Sequence, residues 1–202
     1  MNVMIPFWMT DPNWLEAIGT IGAVIVALLL AGGSFIWRHF KRPILEVAFD
    51  NTEPYCRTTH EPAAGTSYFI RLKITNNGKS TARYCVGKIN RIIDPITLKD
   101  QESWDPVALQ WVGHREGPIH INRGEYEFLE LVTIRSDGGI YLREPRGIYR
   151  ITLPYIPMKD YLFFVSIYGE NFVHKPIIYK FISNKEFDKV KLEKNNNNST
   201  RA

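Results

Sequence analysis

The feature that most constrains this chain is an uncharged apolar segment at residues 17–37, which reads AIGTIGAVIVALLLAGGSFIW. A helix rises about 1.5 Å per residue, so this segment covers about 30 Å, the thickness of the hydrocarbon layer of a bilayer. Trp14 and Trp37 lie near its ends, where aromatic rings favour the headgroup layer. The pattern predicts one transmembrane helix over residues 14–37, after an N-terminal flank of residues 1–13. A buried core helix is disfavoured because the segment is apolar on every side.

The charges on either side of the segment predict its orientation. Asp11 and Glu16 precede it without any Lys or Arg, and a basic juxtamembrane linker at residues 38–43 follows it, containing Arg38, Lys41 and Arg42. Positive residues are retained on the cytoplasmic side during insertion. We therefore expect the N-terminus outside and the C-terminal domain in the cytoplasm.

A cleaved signal peptide is the alternative interpretation of the same segment. Ala31 and Gly33 form a small-x-small pattern, but the positive N-terminal region of a signal peptide is missing and the apolar run is long. If the domain were exported, Cys56 and Cys85 could form a disulfide, whereas in the cytoplasm they would stay reduced.

Small residues recur at every fourth position of the predicted helix, at Gly19, Ala23, Ala27 and Ala31. This spacing places them on one ridge, where another helix backbone can approach closely. The ridge predicts a packing face for a second copy of the chain or for another membrane protein. The competing explanation is composition, since Ala and Gly are common in membrane helices.

The charge balance limits the classes of partner. No Lys or Arg precedes Arg38, so the rest of the chain carries all 25 basic residues and 19 of the 21 acidic ones, a net charge of +6. Three of those positive charges are in the juxtamembrane linker and could contact anionic membrane lipid, although three charges are fewer than a polybasic cluster contains. The remaining domain is only mildly basic, so no nucleic-acid partner is predicted.

Residues 44–192 predict an all-β domain. Short runs rich in Val, Ile, Tyr and Phe are separated by Gly, Pro and Asn, with almost no helical periodicity. About seven to nine strands at this spacing favour an immunoglobulin-like antiparallel β-sandwich, with a small barrel as second choice. The Asn-rich tail at residues 193–202 predicts disorder.

Residues 68–76 alternate most clearly, with Ile70, Leu72 and Ile74 on one face. Asn77-Gly78 follows, and this pair suits a tight hairpin turn that requires positive φ. The returning strand is predicted at residues 81–93, with a bulge near Arg83 to reconcile its two competing apolar faces.

Further along the chain, loops are predicted at residues 51–67 and 94–106, between the alternating runs. Residues 161–168 are apolar on both faces and therefore predict a central strand.

The stretch LKITNNGKSTA at residues 72–82 resembles the strand–NxG–strand hairpin of prokaryotic Ig-like modules, the CARDB-type domains among them. The stretch GIYRI at residues 147–151 resembles a G-x-Y strand opening common in those modules. The resemblance implies an Ig-like sandwich used for binding rather than catalysis. Such modules are often extracellular, which conflicts with the charge-derived topology.

The sequence contains no G-x-S-x-G, no H-E-x-x-H, no Gly-rich phosphate loop and no paired C-x-x-C. Weak candidates for a metal site are Cys56, His60, His114 and His120, which could offer N and S ligands to zinc if their loops met. No cofactor is predicted. The loop acids Asp50, Glu53, Asp94, Asp100 and Asp105 could gather around calcium, although solvated charges explain them as well.

Four aromatic residues form a candidate binding patch: Trp104, Trp111, Tyr126 and Phe128. Large aromatics at strand positions also occur as core residues. The whole sequence favours a single-pass membrane-anchored binding or assembly module, part of a membrane protein complex. The alternative is a membrane-tethered enzyme, a hydrolase or metalloenzyme, with its site in the sandwich loops.

Overall fold

The computed structural model describes residues 12–61, 65–100, 106–114, 117–142, 155–184 and 186–195. The chain divides into two compact units, Met1–Lys41 and Arg42–Ala202. The domain boundary therefore falls inside the predicted juxtamembrane linker.

The first unit contains one helix, α1, which runs 29 residues over Pro12–Phe40. Pro12 suits the first helical position because its missing N–H would have no partner there. Large apolar side chains from Ile18 to Leu30 are 52–76% exposed. The side chains of α1 are described continuously only over residues 16–30. Among the described residues, no helical stretch is long and apolar enough to cross a membrane. The transmembrane helix therefore stays a prediction.

The second unit is all β, and its described residues form thirteen strands. They are β1 Leu45–Ala48, β2 Cys56–Glu61, β3 Gly65–Asn76, β4 Ala82–Ile93, β5 Val107–Ala108, β6 Ile119–Ile121, β7 Tyr126–Arg135, β8 Ile140–Tyr141, β9 Tyr155–Ile156, β10 Tyr161–Gly169, β11 Phe172–Val173, β12 Ile177–Ile182 and β13 Lys191–Lys194.

These strands pair in two antiparallel sheets. In the first sheet the order is β1-β3-β7-β8-β9, with β2 also pairing β3. In the second the order is β13-β12-β10-β4-β5, with β11 added to β10 and β6 added to β4. The prediction of a central strand at residues 161–168 is confirmed, because β10 lies between β12 and β4.

One hydrophobic core draws side chains from both sheets, including Leu72 and Ile74 of β3 and Phe163 and Phe181 of the other sheet. Alternate residues of β3 point inward, as period-two burial requires. Each fully buried aliphatic or aromatic side chain contributes about 1.5–3 kcal/mol of transfer free energy. The described strands therefore form a β-sandwich-like domain and not one closed barrel.

The predicted hairpin at Asn77-Gly78 is wrong. Strand β3 belongs to the first sheet and β4 to the second, so residues 77–81 cross between sheets rather than return along one. Gly78 does not have a positive φ. Local turn preference could not predict the crossing, because it depends on hydrogen bonds between Asn76 and the distant residues Ile44 and Ile121.

Two further strand boundaries differ from expectation. The predicted loop at residues 51–67 contains β2, a polar edge strand of sequence CRTTHE paired with β3. It lacked an apolar signal because most of its residues are exposed. Strand β13 continues to Lys194, so the first two residues of the predicted disordered tail are ordered; the tail from residue 196 onward lies outside the described residues.

The bulge predicted near Arg83 is confirmed by a register shift between Ala82 and Cys85. Tyr84, inside the shift, adopts φ 52°, which is uncommon for a residue with a side chain. Residues 147–151, the second part of the Ig-like resemblance, lie outside the described residues.

Candidate functional site

The predicted aromatic patch is divided by the fold. Trp111 is a core residue whose indole Nε1 donates to the Cys85 carbonyl at 3.0 Å, so its place in a surface patch is wrong. Trp104 lies outside the described residues. Only Tyr126 and Phe128 remain near the surface, with ring centroids 5.8 Å apart. From the sequence alone, an aromatic residue in a strand cannot be assigned to the core or to the surface, because this depends on which other strands pack against it.

Those two rings begin an aromatic row that follows the sandwich edge. Phe128 contacts Tyr55 at 5.8 Å, Tyr55 contacts Phe49 at 6.0 Å, and Phe49 contacts buried Tyr179 at 6.4 Å. Of these five, Tyr126 alone is exposed, at 53%. The row therefore seals the edge between the sheets and offers little free surface.

The four candidate metal ligands make separate contacts with different residues. Cys56 is buried, His60 Nδ1 lies 3.3 Å from Thr66 Oγ1, and His114 Nε2 lies 3.5 Å from Glu127 Oε2. His120 Nδ1 accepts a hydrogen bond from the Tyr84 N–H at 3.2 Å. Among the residues that the structure describes, no three His, Cys, Asp or Glu side chains are placed to hold a metal ion.

Two of the candidate calcium-binding acids, Asp100 and Asp94, each pair with a different basic residue. Asp100 forms a two-bond pair with Arg91, both bonds being 3.0 Å. Asp94 accepts from Lys159 Nζ at 2.9 Å, and this bond with two backbone N–H bonds lowers the pKa of Asp94 to about 2. Asp105 lies outside the described residues.

Asp94 also shapes an apolar loop tip, defined here by Ile96 and Leu98. Its carboxylate accepts the N–H groups of Ile96 and Thr97, and its carbonyl accepts the Leu98 N–H at 2.9 Å. The fixed turn leaves Ile96 89% and Leu98 63% exposed. Asp94 thus holds a turn from which two large apolar side chains extend into solvent.

A groove with convergent basic side chains lies at the opposite end of β4 from that tip. It has a volume of about 530 Å³ and lies between residues 42–45 on one side and Asn171, Phe172, His174 and Lys175 on the other. We call it the basic groove, because Arg42, His174 and Lys175 line it and no carboxylate is among its described lining residues.

The first wall of the basic groove is clamped by Gly78. A Cβ at this position would meet the Ile44 nitrogen, the Pro43 Cα at 2.5 Å and the Arg42 oxygen at 2.7 Å. Two backbone bonds reinforce the contact, from Asn77 N–H to the Ile44 carbonyl at 2.8 Å and from Lys79 N–H to the Arg42 carbonyl at 3.4 Å. Glycine is therefore required here for close approach of two backbones.

Asn76 also stabilises this first wall of the groove. It is fully buried, and its side-chain oxygen accepts from Gly78 N–H at 3.0 Å and Ile44 N–H at 3.4 Å. Its amide donates to the Ser80 and Ile121 carbonyls at 2.8 and 2.9 Å. All four hydrogen-bonding positions are used, so one side chain joins both sheets to the segment that lines the groove.

The second wall is the short hairpin between β10 and β11. Asn171 fixes it to β4, since its oxygen accepts the Arg83 N–H at 3.2 Å and its amide donates to the Thr81 carbonyl at 3.1 Å. Gly169 allows the Phe172 ring to pack directly over the turn. Both walls of the groove are thus held by hydrogen bonds and close contacts before any ligand arrives.

The helix ridge has no packing partner within the described part of this chain. Gly19, Ala23 and Ala27 are exposed, and no heavy atom lies within 4 Å of the position of a Cβ on Gly19. The side chain of Ala31 lies outside the described residues.

No family model, curated protein or solved structure matches this chain. The resemblance to CARDB-type modules therefore stays a prediction. No sequence pattern indicates the basic groove, because its walls lie about 130 residues apart in the chain. The one local signal was the run of basic residues that ends at Arg42.

Proposed function

We propose that this protein is a single-pass membrane protein whose Ig-like β-sandwich acts as a binding or assembly module at the membrane surface. The observation that carries the proposal is α1, whose large apolar side chains stay 52–76% exposed. Leaving this surface in water would cost about 25 cal/mol for each Å² of apolar area. An apolar environment supplied from outside the chain removes that cost.

The described side chains of α1 end at Leu30, short of the roughly 20 apolar residues that a span requires. The sequence continues without a charge from Ala31 to Trp37, and the helix itself continues to Phe40. The full segment therefore supports a span although the described part alone is too short. Arg38, Lys41 and Arg42 favour a cytoplasmic domain.

Two surfaces support the binding role. The apolar loop tip offers Ile96 and Leu98 to a partner protein, and the ridge of Gly19, Ala23, Ala27 and Ala31 offers a packing face to a second copy or another membrane helix. The two-sheet architecture is compatible with the Ig-like module that the sequence resembles.

Alkaline carbonate extraction of membranes that contain the full-length protein tests the anchor. We expect the protein to stay in the membrane pellet, and a double variant Val26→Arg plus Leu28→Arg to be released, since each central Arg costs about 2.5–3.5 kcal/mol of insertion free energy. Release of the unmodified protein would refute the anchor. A C-terminal reporter that is active only outside the cytoplasm should be silent, and strong activity would reverse the topology.

A further inference from the structure

We propose that the basic groove binds the phosphate-bearing headgroup of an anionic phospholipid. This inference rests on the proposed membrane anchoring and adds a defined site and a ligand class to it.

The positive charges of the groove form no ion pairs within the described part of the chain. Arg42 and Lys175 form no ion pair with any described residue, and His174 contributes a third nitrogen-bearing side chain. Arginine presents a planar fork of N–H donors that matches phosphate oxygens, and lysine adds a point charge. A groove with donors and no carboxylate selects an anion.

His174 supplies an independent observation. Its Nδ1 is buried and has no hydrogen-bond partner among the described residues, although the rest of the residue is held by a backbone bond to the Ile167 carbonyl at 3.0 Å. Buried polar atoms are nearly always paired in native proteins. This unpaired nitrogen belongs to a side chain that lines the groove.

The groove also has an apolar part that a free phosphate ion would not use. Ile44 is 55% exposed at one wall and Phe172 is half-buried at the other. A volume of about 530 Å³ is large enough for a headgroup together with its glycerol and the first methylenes of the acyl chains. The combination of charge and apolar surface favours a lipid over a soluble anion.

The position of Arg42 in the chain agrees with this ligand. It follows Phe40, the last residue of α1, by two residues, which span at most about 7 Å. If α1 crosses the bilayer, the start of the groove must lie near the headgroup layer. Basic residues immediately beside a span are the usual partners of anionic lipid.

Native mass spectrometry of the full-length protein in mild detergent tests the site. The probes are short-chain phosphatidylglycerol, short-chain phosphatidylcholine and inorganic phosphate, each titrated separately. We expect phosphatidylglycerol to bind tightest, and Arg42→Gln plus Lys175→Gln to weaken its binding about thirtyfold. The matched control, Lys99→Gln plus Lys191→Gln, removes the same charge from exposed positions away from the groove and should bind like the unmodified protein.

Equal phosphatidylglycerol binding by the groove and control variants would overturn the proposal. Equal binding of phosphatidylcholine would overturn recognition of an anion, and equal occupancy by inorganic phosphate would overturn the choice of lipid. His174→Leu provides a second variant: it should weaken phosphatidylglycerol binding without lowering the melting temperature, and unchanged binding would count against the site. A protein that resists carbonate extraction while failing these tests keeps its anchor and loses the groove.

Discussion

At the scale of single residues, Tyr161 and Tyr179 are both buried inside the sandwich but differ in their hydroxyl groups. The Tyr161 hydroxyl donates to the Pro157 carbonyl at 3.1 Å. The Tyr179 hydroxyl is buried without a hydrogen-bond partner among the described residues, and burial raises its pKa. An unpaired buried hydroxyl is destabilising, whereas a paired one contributes about 0.5–1.5 kcal/mol.

Replacing each tyrosine with phenylalanine tests that difference. Tyr179→Phe should leave the melting temperature unchanged or raise it, because it removes a hydroxyl that gives up its hydrogen bonds to water when the protein folds. Tyr161→Phe should lower the stability by about 1 kcal/mol, because a hydrogen bond is lost. Melting curves of the full-length protein in mild detergent give both values. A larger loss for Tyr179→Phe than for Tyr161→Phe would show that the Tyr179 hydroxyl has a partner.

Cys85 is fully buried beside Trp111, and burial raises the pKa of its thiol to about 11 from the ordinary value of 9.0. A raised pKa means that the folded protein keeps this proton while the unfolded chain releases it. Stability is therefore fully present below pH 9 and is lost as the pH rises from 9 toward 11. Burial also raises the pKa of Cys56.

We accordingly expect Cys85 to react slowly with iodoacetamide at pH 8 in the folded protein, since the thiolate is the reactive form. After denaturation both cysteines should react at the rate of an ordinary peptide thiol. Peptide mass mapping of the alkylated protein measures this. Fast labelling of Cys85 in the folded state would contradict its burial.

At the scale of elements, the link from β3 to β4 decides the fold of the sandwich. Asn76 ends β3 and makes four hydrogen bonds, and Gly78 then admits the segment that leads into β1. The chain consequently leaves the first sheet and enters the second. An Asn-Gly pair between two alternating strands looks like a hairpin because the same residue types serve both purposes.

Gly78→Ala should destabilise the protein by about 1–3 kcal/mol, because the added methyl meets backbone atoms of residues 42–44 that cannot rotate away. Lys79→Ala, at an exposed neighbouring position, should stay within about 0.5 kcal/mol of the unmodified protein. Thermal melts of the full-length variants provide the comparison. Equal melting temperatures would mean that residues 42–44 do not pack on Gly78.

At the scale of the whole molecule, the two units present different surfaces. The helical unit exposes its apolar side chains, and the sandwich unit buries a core of its own and exposes the basic groove and the apolar loop tip. These are the surfaces for which we propose partners outside the chain: lipid for α1 and the groove, and a protein for the tip or for the ridge of the helix.

Association through that ridge can be measured in membranes. Ala23→Ile plus Ala27→Ile should reduce crosslinking of the helix to its partner, because added side-chain volume separates the two backbones and each contact is worth on the order of 1 kcal/mol. Val24→Ile plus Leu28→Ile, on another face, is the matched control. Crosslinking that is unchanged in the first pair would exclude the ridge as the contact.

The sequence by itself determined the features that repeat over a short distance. Alternation with period two predicted β3, the run that is apolar on both faces predicted β10, and the competing faces of β4 predicted its bulge, because each of these patterns is local. The uncharged segment marked α1 for the same reason. Edge strand β2 escaped detection because exposed polar residues carry no such period.

Only the tertiary structure decided which strands share a sheet and which distant residues meet. The same Asn77-Gly78 pair is compatible with a hairpin or with a crossing, and the choice depends on the hydrogen bonds of Asn76 to Ile44 and Ile121, far away in the chain. Trp111 lies in the core, where its indole donates a hydrogen bond to the carbonyl of the distant residue Cys85. Arg42 and Lys175 share a groove because β3 and β10 end at the same side of the sandwich, a consequence of packing that no local pattern encodes.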